Sequence, residues 1–169
     1  MPDFSKIILG SAQFGMSYGI NNNSGKIPKS EVFKILDFAY QKKITILDTA
    51  SSYGNSEKVI GKYNKKNPEK SFKIITKISN TELSLEEQLI KSLENLNTKK
   101  ADTILFHSLD LYKRFENKLP SFIKLYKGKY FDQLGISVYS NDQINTVMKD
   151  GRIQRIQLPF NMLDNSNIR

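Results

Sequence analysis

Apolar residues follow two different spacings along the chain, and segments of the two kinds alternate. Short runs rich in Ile and Leu do not alternate with polar residues, which is typical of strands buried on both faces of a parallel sheet. Six such runs predict strands at residues 6–10, 44–49, 72–77, 102–107, 133–138 and 155–160.

The longer segments between these runs repeat their apolar residues every three or four positions, which predicts one apolar helix face in each. Capping residues are expected at Ser30, at Ser84 with Glu87, and at Ser140 with Gln143. Five helices are predicted, at residues 30–43, 55–63, 84–96, 120–128 and 140–148.

Strands that alternate with helices predict an α/β fold, either a doubly wound sheet or a (β/α)8 barrel. A complete barrel needs eight units and about 250 residues, whereas this chain has 169. The expectation is one domain over residues 1–169, with six parallel strands present. If the fold is of the barrel type, it is incomplete, and units seven and eight are missing.

The composition is that of a globular protein, with 38% hydrophobic and 25% charged residues. No apolar run approaches the roughly 20 residues that a membrane span needs, and the first residues lack a signal-peptide pattern. We therefore expect a cytoplasmic protein without a membrane segment. The absence of cysteine excludes disulfides and thiolate metal sites.

The net charge is +9, from 26 Lys and Arg against 17 Asp and Glu. A basic protein raises the question of nucleic acid, but the lysines are scattered and the densest run, residues 65–70, includes a Glu and a Pro. We expect no nucleic-acid partner. A weak attraction for a small anionic molecule fits the charge better.

Polar side chains lie at the ends of three successive predicted strands. Asp48, Lys77 and His107 fall at these ends, and Tyr53 follows in the loop after Asp48. Each has an ordinary alternative, since Asp48 could cap a turn, Tyr53 could pack, Lys77 could be solvated, and His107 could be structural. Parallel α/β folds place their sites at this edge of the sheet, so the four together predict an active site.

The four groups have a common chemical purpose. A phenol has a reference pKa near 10, and a neighbouring ammonium is expected to lower the pKa of Tyr53. A carboxylate would hold that ammonium in place, and an imidazole could orient a carbonyl oxygen. Together they could protonate an alkoxide as it forms from a carbonyl. None of them can donate a hydride, so a nicotinamide cofactor would have to supply it.

The stretches LDTASSYGNSE, ITK, LFHS, LGISV and IQLPFN, in this order, closely resemble the aldo-keto reductases. The resemblance runs from about residue 6 to the last residue. It implies a (β/α)8 barrel and the reduction of an aldehyde or ketone to an alcohol with NADPH, or with NADH.

The resemblance also implies residue roles. Tyr53 would be the general acid, Lys77 would tune it, Asp48 would support Lys77, and His107 would orient the carbonyl. The implied cofactor-binding residues are Asp48, Ser137 and Gln157, the last two at the nicotinamide carboxamide.

Three features depart from the family pattern or qualify it. Val138 stands where the family usually has Asn, which removes one carboxamide contact. The opening LGSAQFGMSYGI resembles a branch often associated with bacterial surface-polysaccharide gene clusters. The chain ends at Arg169, so the later strands, which in the family supply an aromatic against the nicotinamide and most phosphate contacts, are expected to be missing.

Two other site types are not supported. Residues 10–17 almost match a phosphate-binding loop, but Met16 stands where the lysine must be. A chain with one His and no suitable carboxylate spacing is not expected to bind a metal.

Two alternatives to the reductase remain open. The chain could be a truncated pseudoenzyme or interaction module that keeps the four residues but binds cofactor poorly. It could also be a phosphate-handling barrel such as a sugar-phosphate isomerase, although such barrels usually bind phosphate with units seven and eight. In an incomplete barrel, strands one and six would have unpaired edges, which favour self-association.

Overall fold

The computed structural model describes residue 4 and residues 6–160, and in that part of the chain six parallel strands pair in sequence order into a curled half-barrel. The α/β class and the six parallel strands predicted from the sequence are confirmed. The strands are β1 Leu9–Gly10, β2 Ile46–Asp48, β3 Lys73–Ile78, β4 Ala101–Phe106, β5 Phe131–Ser137 and β6 Arg155–Gln157. The helices are α1 Ala12–Gly15, α2 Lys29–Gln41, α3 Ser56–Lys66, α4 Leu85–Leu96, α5 Leu109–Phe115, α6 Leu119–Tyr126 and α7 Asn141–Val147, with a 3₁₀ turn at Glu116–Lys118.

The three central strands are buried on both faces, as their uninterrupted apolar runs predict. Five of the six residues of β3 are buried, and β4 and β5 are nearly as enclosed. Ile104, Leu134 and Ile136 have no exposed surface. Each such side chain stabilises the fold by about 1.5–3 kcal/mol relative to an exposed position.

The core consists of two apolar clusters on the helix-covered face of the sheet. One packs α2 and α3 against β2 and β3, with Leu36, Leu47 and Ile60 fully buried. The other packs the helices from α4 onward against β4 and β5. The sheet is therefore held in place on the side opposite to the strand faces that line the half-barrel.

The predicted helix caps have three different outcomes. The capping box of Ser84 and Glu87 is confirmed in both directions. The capping box of Ser140 and Gln143 forms in one direction only. Ser140 Oγ accepts a hydrogen bond from the Gln143 N–H, but Gln143 Oε1 accepts from the Tyr139 N–H and not from that of Ser140. The cap at Ser30 is wrong, because α2 begins at Lys29 after Pro28.

Proline explains that earlier start. The carbonyl of Pro28 accepts hydrogen bonds from the N–H groups of Glu31 and Val32, and its φ of −58° already suits a helix entrance. Ser30 therefore lies inside the first turn.

Two helices were not predicted. The four-residue helix α1 follows β1 directly, and α5 follows β4, where Ser108 caps it by accepting from the Leu111 N–H. Four of the seven α5 residues are buried, so α5 is too short and too apolar for a helical period to stand out.

No helix within residues 6–160 is long and apolar enough to cross a membrane.

Candidate active site

The strand ends bring three of the four predicted residues to one edge of the half-barrel, which we call the mouth. Asp48 is the last residue of β2, and His107 directly follows β4. Lys77 lies inside β3 rather than at its end, with Ile78 after it. Parallel pairing of β2, β3 and β4 places these positions side by side, and the loop after β2 adds Tyr53.

Lys77 is the centre of the polar site. Its Nζ atom lies 2.6 Å from Asp48 Oδ1, 3.0 Å from the Thr49 carbonyl oxygen and 3.1 Å from the Tyr53 hydroxyl. An ammonium has three N–H donors and no acceptor, so these three contacts use every one of them. Lys77 is 3% exposed, and the solvated alternative for this residue is wrong.

Burial lowers the pKa of Lys77, and the Asp48 carboxylate opposes that shift. The amine and carboxylate form a buried ion pair, with side chains 2% and 13% exposed. A charge-assisted contact at 2.6 Å favours the ammonium over the neutral amine. The Asp48 side chain therefore pairs with the Lys77 ammonium and does not cap a turn.

Tyr53 does not have the lowered pKa that its ammonium neighbour led us to expect. Burial, and then the negative charge of Asp48, raise the pKa of Tyr53 to about 12. The phenol is accordingly the protonated form at neutral pH. Its oxygen accepts from Lys77, and no acceptor for its own O–H lies among the described residues, so this proton is free to be donated.

His107 lies next to the phenol without bonding to it. The two ring centres are 6.4 Å apart and the ring planes meet at 83°. Neither imidazole nitrogen has a hydrogen-bond partner within residues 6–160, and the ring is half-buried. A carbonyl oxygen placed between the two rings could accept from both.

Two glycines determine the path of the Tyr53 loop. Gly54 has a φ of +56°, which favours glycine, and a Cβ there would lie 2.4 Å from the Gly15 carbonyl oxygen. A Cβ on Gly15 would lie 1.8 Å from the Tyr53 carbonyl oxygen. The end of α1 and the Tyr53 loop are therefore in backbone contact.

A buried hydroxyl cluster joins the same segments below the loop. Ser56 Oγ donates to the backbone and side-chain oxygens of Ser11, which are both 2.9 Å away, and accepts from Thr49 at 3.1 Å. Ser11 Oγ in turn bonds the Asp48 carbonyl at 2.9 Å. All three hydroxyl residues are fully buried, so they fix β1, β2 and α3 relative to one another.

Glu57 is a buried carboxylate with neutral partners. It accepts from Thr76 at 2.7 Å and from Asn95 at 3.3 Å, and it is 4% exposed. Thr76 is the residue before Lys77, so Glu57 ties the start of α3 to the strand that presents the lysine. The sequence analysis did not single out this role, and it did not identify those of Gly15, Ser11 and Ser56. A run of small residues around Tyr53 was the one available signal.

The three predicted cofactor residues lie together at the mouth. Ser137 ends β5 and Gln157 ends β6, and the two are direct neighbours in the strand register. Gln157 Nε2 donates to Asp48 Oδ2 at 3.3 Å. Its Oε1 atom is buried and has no hydrogen-bond partner within residues 6–160, so a hydrogen-bond acceptor is available beside Asp48. Val138 is fully buried in the apolar core.

Two cavities meet at Asp48. One of about 400 Å³ runs along the inner strand faces and is lined by Gly10, Asp48 and Gln157 among others. The second, of about 440 Å³, is lined by residues of β1 and the loop after it, with Asp48 and Tyr53. No group of three or more metal-ligating side chains occurs in the described part of the chain.

Comparison with solved structures identifies similar folds. A Pseudomonas aeruginosa protein assigned to the aldo-keto reductases matches with a TM-score of 0.74 and 22% identity, over 93% of this chain and 64% of that one. An aldo-keto reductase from Bacillus halodurans in its holo form matches with a TM-score of 0.73 and 19% identity, over 92% of this chain and 53% of that one. An aldo/keto reductase from Klebsiella pneumoniae in complex with NADP and acetate matches with a TM-score of 0.59 and 16% identity, over 84% of this chain and 49% of that one.

These structural matches show the half-barrel fold, and the chain spans about two thirds or less of their lengths. A comparison with curated proteins finds no match. The model of the aldo/keto reductase family matches residues 6–169. Because that match covers nearly the whole sequence, the chain belongs to the aldo/keto reductase family.

Proposed function

We propose that this site reduces an aldehyde or ketone to an alcohol, with Tyr53 as the proton donor and a reduced nicotinamide as the hydride source. The observation that carries the proposal is the arrangement around Lys77. Its three donors are used by Asp48, Thr49 and Tyr53, so the phenol oxygen is already an acceptor. The phenol proton is therefore available to an acceptor bound at the mouth.

The protonation state supports this direction of proton transfer. With a pKa of about 12, Tyr53 holds its proton at neutral pH and can give it to an oxygen that becomes an alkoxide. The Lys77 ammonium then lies 3.1 Å from the phenolate oxygen that remains and stabilises its charge. His107, with both ring nitrogens unbonded in the described residues, can donate to the same carbonyl oxygen and orient it.

The residues at the ends of β5 and β6 fit a carboxamide. Gln157 Oε1 is a buried acceptor that no group in the described part of the chain bonds, and an amide N–H₂ would satisfy it. Ser137 lies beside it in the register, and Asp48 borders the same cavity. When bound there, a reduced nicotinamide supplies the hydride to the carbonyl carbon.

We propose NADPH as the natural cofactor, with NADH as the alternative. The family resemblance supports this choice, as does the NADP complex of the Klebsiella pneumoniae neighbour.

The proposal is tested by titrating the purified chain with NADPH, following nicotinamide fluorescence, and then adding an aldehyde. We expect saturable binding and oxidation of the cofactor once the aldehyde is present. Gln157→Leu removes the free acceptor and should weaken binding about tenfold, the equivalent of one lost hydrogen bond.

Gln41→Leu is the matched control, because Gln41 is an exposed residue at the end of α2 and should leave binding unchanged. Failure to bind either NADPH or NADH would contradict the proposal. Such a result would favour the pseudoenzyme or interaction-module alternative.

A further inference from the structure

A separate cleft of about 690 Å³ opens at the mouth, is lined in part by His107, and shares no lining residue with the two cavities at Asp48. We call it the cation cleft. Its lining comes from the loops after β2, β3 and β4 and from α5. The lining residues are Ser52, Ser79, Thr81, His107, Ser108, Asp110, Leu111, Lys113 and Arg114.

Two cations that have no partner within residues 6–160 line this cleft. Lys113 and Arg114 occupy the last turn of α5, and both are exposed. Neither forms an ion pair or a side-chain hydrogen bond with any residue in the described part of the chain. Asp110 is the one carboxylate in the lining, so the cleft has an excess of one positive charge.

Hydroxyl groups complete the polar lining. Ser52 and Thr81 make no side-chain hydrogen bond within residues 6–160, and Ser108 Oγ only accepts, from the Leu111 N–H at 3.2 Å. Free hydroxyl donors beside a guanidinium and an ammonium are the groups that hold phosphate and carboxylate oxygens. The composition of the lining therefore favours an anionic ligand.

The ring of His107 belongs both to this cleft and to the catalytic group. It borders the cavity, and its centre is 6.4 Å from that of Tyr53. A molecule with its carbonyl at Tyr53 could therefore extend past His107 into the cation cleft.

We infer that the cation cleft binds the anionic end, a phosphate or a carboxylate, of the carbonyl substrate. Lys113 and Arg114 are the specificity-determining residues, and they attract the anion from outside the catalytic group. This inference rests on the proposed function for the identity of the bound molecule as a carbonyl compound. The binding of an anion in the cleft does not depend on any reaction.

His107 provides a direct measurement, because it is the one histidine in the sequence and gives a single set of imidazole proton NMR signals in the untagged protein. The ligands are glycerol 3-phosphate, glycerate and uncharged glycerol, titrated at fixed pH. We expect saturable shifts of the His107 signals with the phosphate or the carboxylate compound and none with glycerol. The stronger of the two anions identifies the class of group.

The double variant Lys113→Gln/Arg114→Gln should weaken anion binding about tenfold, the effect of two partly exposed charges together. Lys124→Gln is the matched control, since Lys124 is exposed on α6 outside the cleft, and it should bind like the wild type. The inference is overturned if no anion shifts His107 or if the double variant binds as tightly as the wild type. Reduction of uncharged aldehydes would remain to be judged separately, so the two proposals can fail independently.

Discussion

At the scale of single residues, the site depends on how one buried ammonium distributes its donors. Lys77 donates two hydrogen bonds to Asp48 and the Thr49 carbonyl, and it donates the third to the Tyr53 oxygen. A charge this deeply buried is costly unless it is paired, and the ion pair with Asp48 meets that need. The phenol is left with a proton to give, which is what reduction of a carbonyl requires.

The raised pKa of Tyr53 has a measurable consequence. Because its pKa is about 12 in the folded protein and near 10 in an unfolded chain, the protonated form stabilises the fold. That contribution is complete below about pH 10 and is lost as the pH rises toward the folded value. We expect the ultraviolet tyrosinate absorbance of wild type minus Tyr53→Phe to show no ionisation until well above pH 10.

The same difference measured in urea is the control for this titration and should have its midpoint near pH 10. If the midpoint of Tyr53 ionisation in the folded protein is at or below that in urea, the Lys77 ammonium lowers the pKa of Tyr53 more than burial raises it. The expectation drawn from the sequence would then be the correct one.

At the scale of elements, the Tyr53 loop is positioned by segments far from it in the chain. Gly15 at the end of α1 touches the backbone of the loop, and the hydroxyl groups of Ser11, Thr49 and Ser56 join β1, β2 and α3. The position of the Tyr53 phenol therefore depends on α1 as well as on its own strand.

Gly15→Ala tests this dependence, because the added Cβ would lie 1.8 Å from the Tyr53 carbonyl oxygen and 2.4 Å from the Ser56 nitrogen. The loop must shift, so we expect a loss of about 1–3 kcal/mol in the free energy of unfolding and a fall in the rate of carbonyl reduction. Gly151→Ala is the matched control, since nothing lies within 4 Å of a Cβ there. Equal effects of the two substitutions in urea unfolding would contradict this account of the loop.

Much of this could be predicted from the sequence, and the rest could not for definite physical reasons. The apolar runs indicate the strands, because a strand buried on both faces needs no polar alternation. Their ends indicate Asp48 and His107, and the next-to-last residue of β3 is Lys77. The contact of Gly15 with Gly54 joins segments 39 positions apart, so no local pattern reveals it. The sign of the Tyr53 pKa shift depends on burial, which a sequence does not specify.

At the scale of the whole molecule, the two outer strands each pair on one side only within residues 6–160. β1 pairs with β2, and β6 with β5. Exposed apolar side chains lie nearby, with Ile7 at 44%, Ile8 at 42% and Phe160 at 70% exposure. Unpaired strand edges beside apolar surface are a template for association with another chain.

We therefore predict that the 169-residue chain self-associates as its concentration rises. Sedimentation velocity over a range of concentrations measures this directly. Ile8→Lys places a charge beside the open edge and should reduce the association, whereas Leu125→Lys changes a more exposed apolar residue on α6 and should not. A single monomeric species at every concentration, with a cooperative thermal transition, would contradict the prediction.

The most direct test of the central claim is the rate of aldehyde-dependent NADPH oxidation by wild type and by Tyr53→Phe. Loss of a positioned general acid is expected to lower kcat by about 10²–10⁴-fold. NADPH binding should stay unchanged, because the substitution leaves the proposed cofactor residues Asp48, Ser137 and Gln157 in place. Tyr130→Phe, a tyrosine far from the mouth, should keep the wild-type rate. A Tyr53→Phe protein that reduces the aldehyde as fast as wild type would contradict the assignment of Tyr53 as the proton donor.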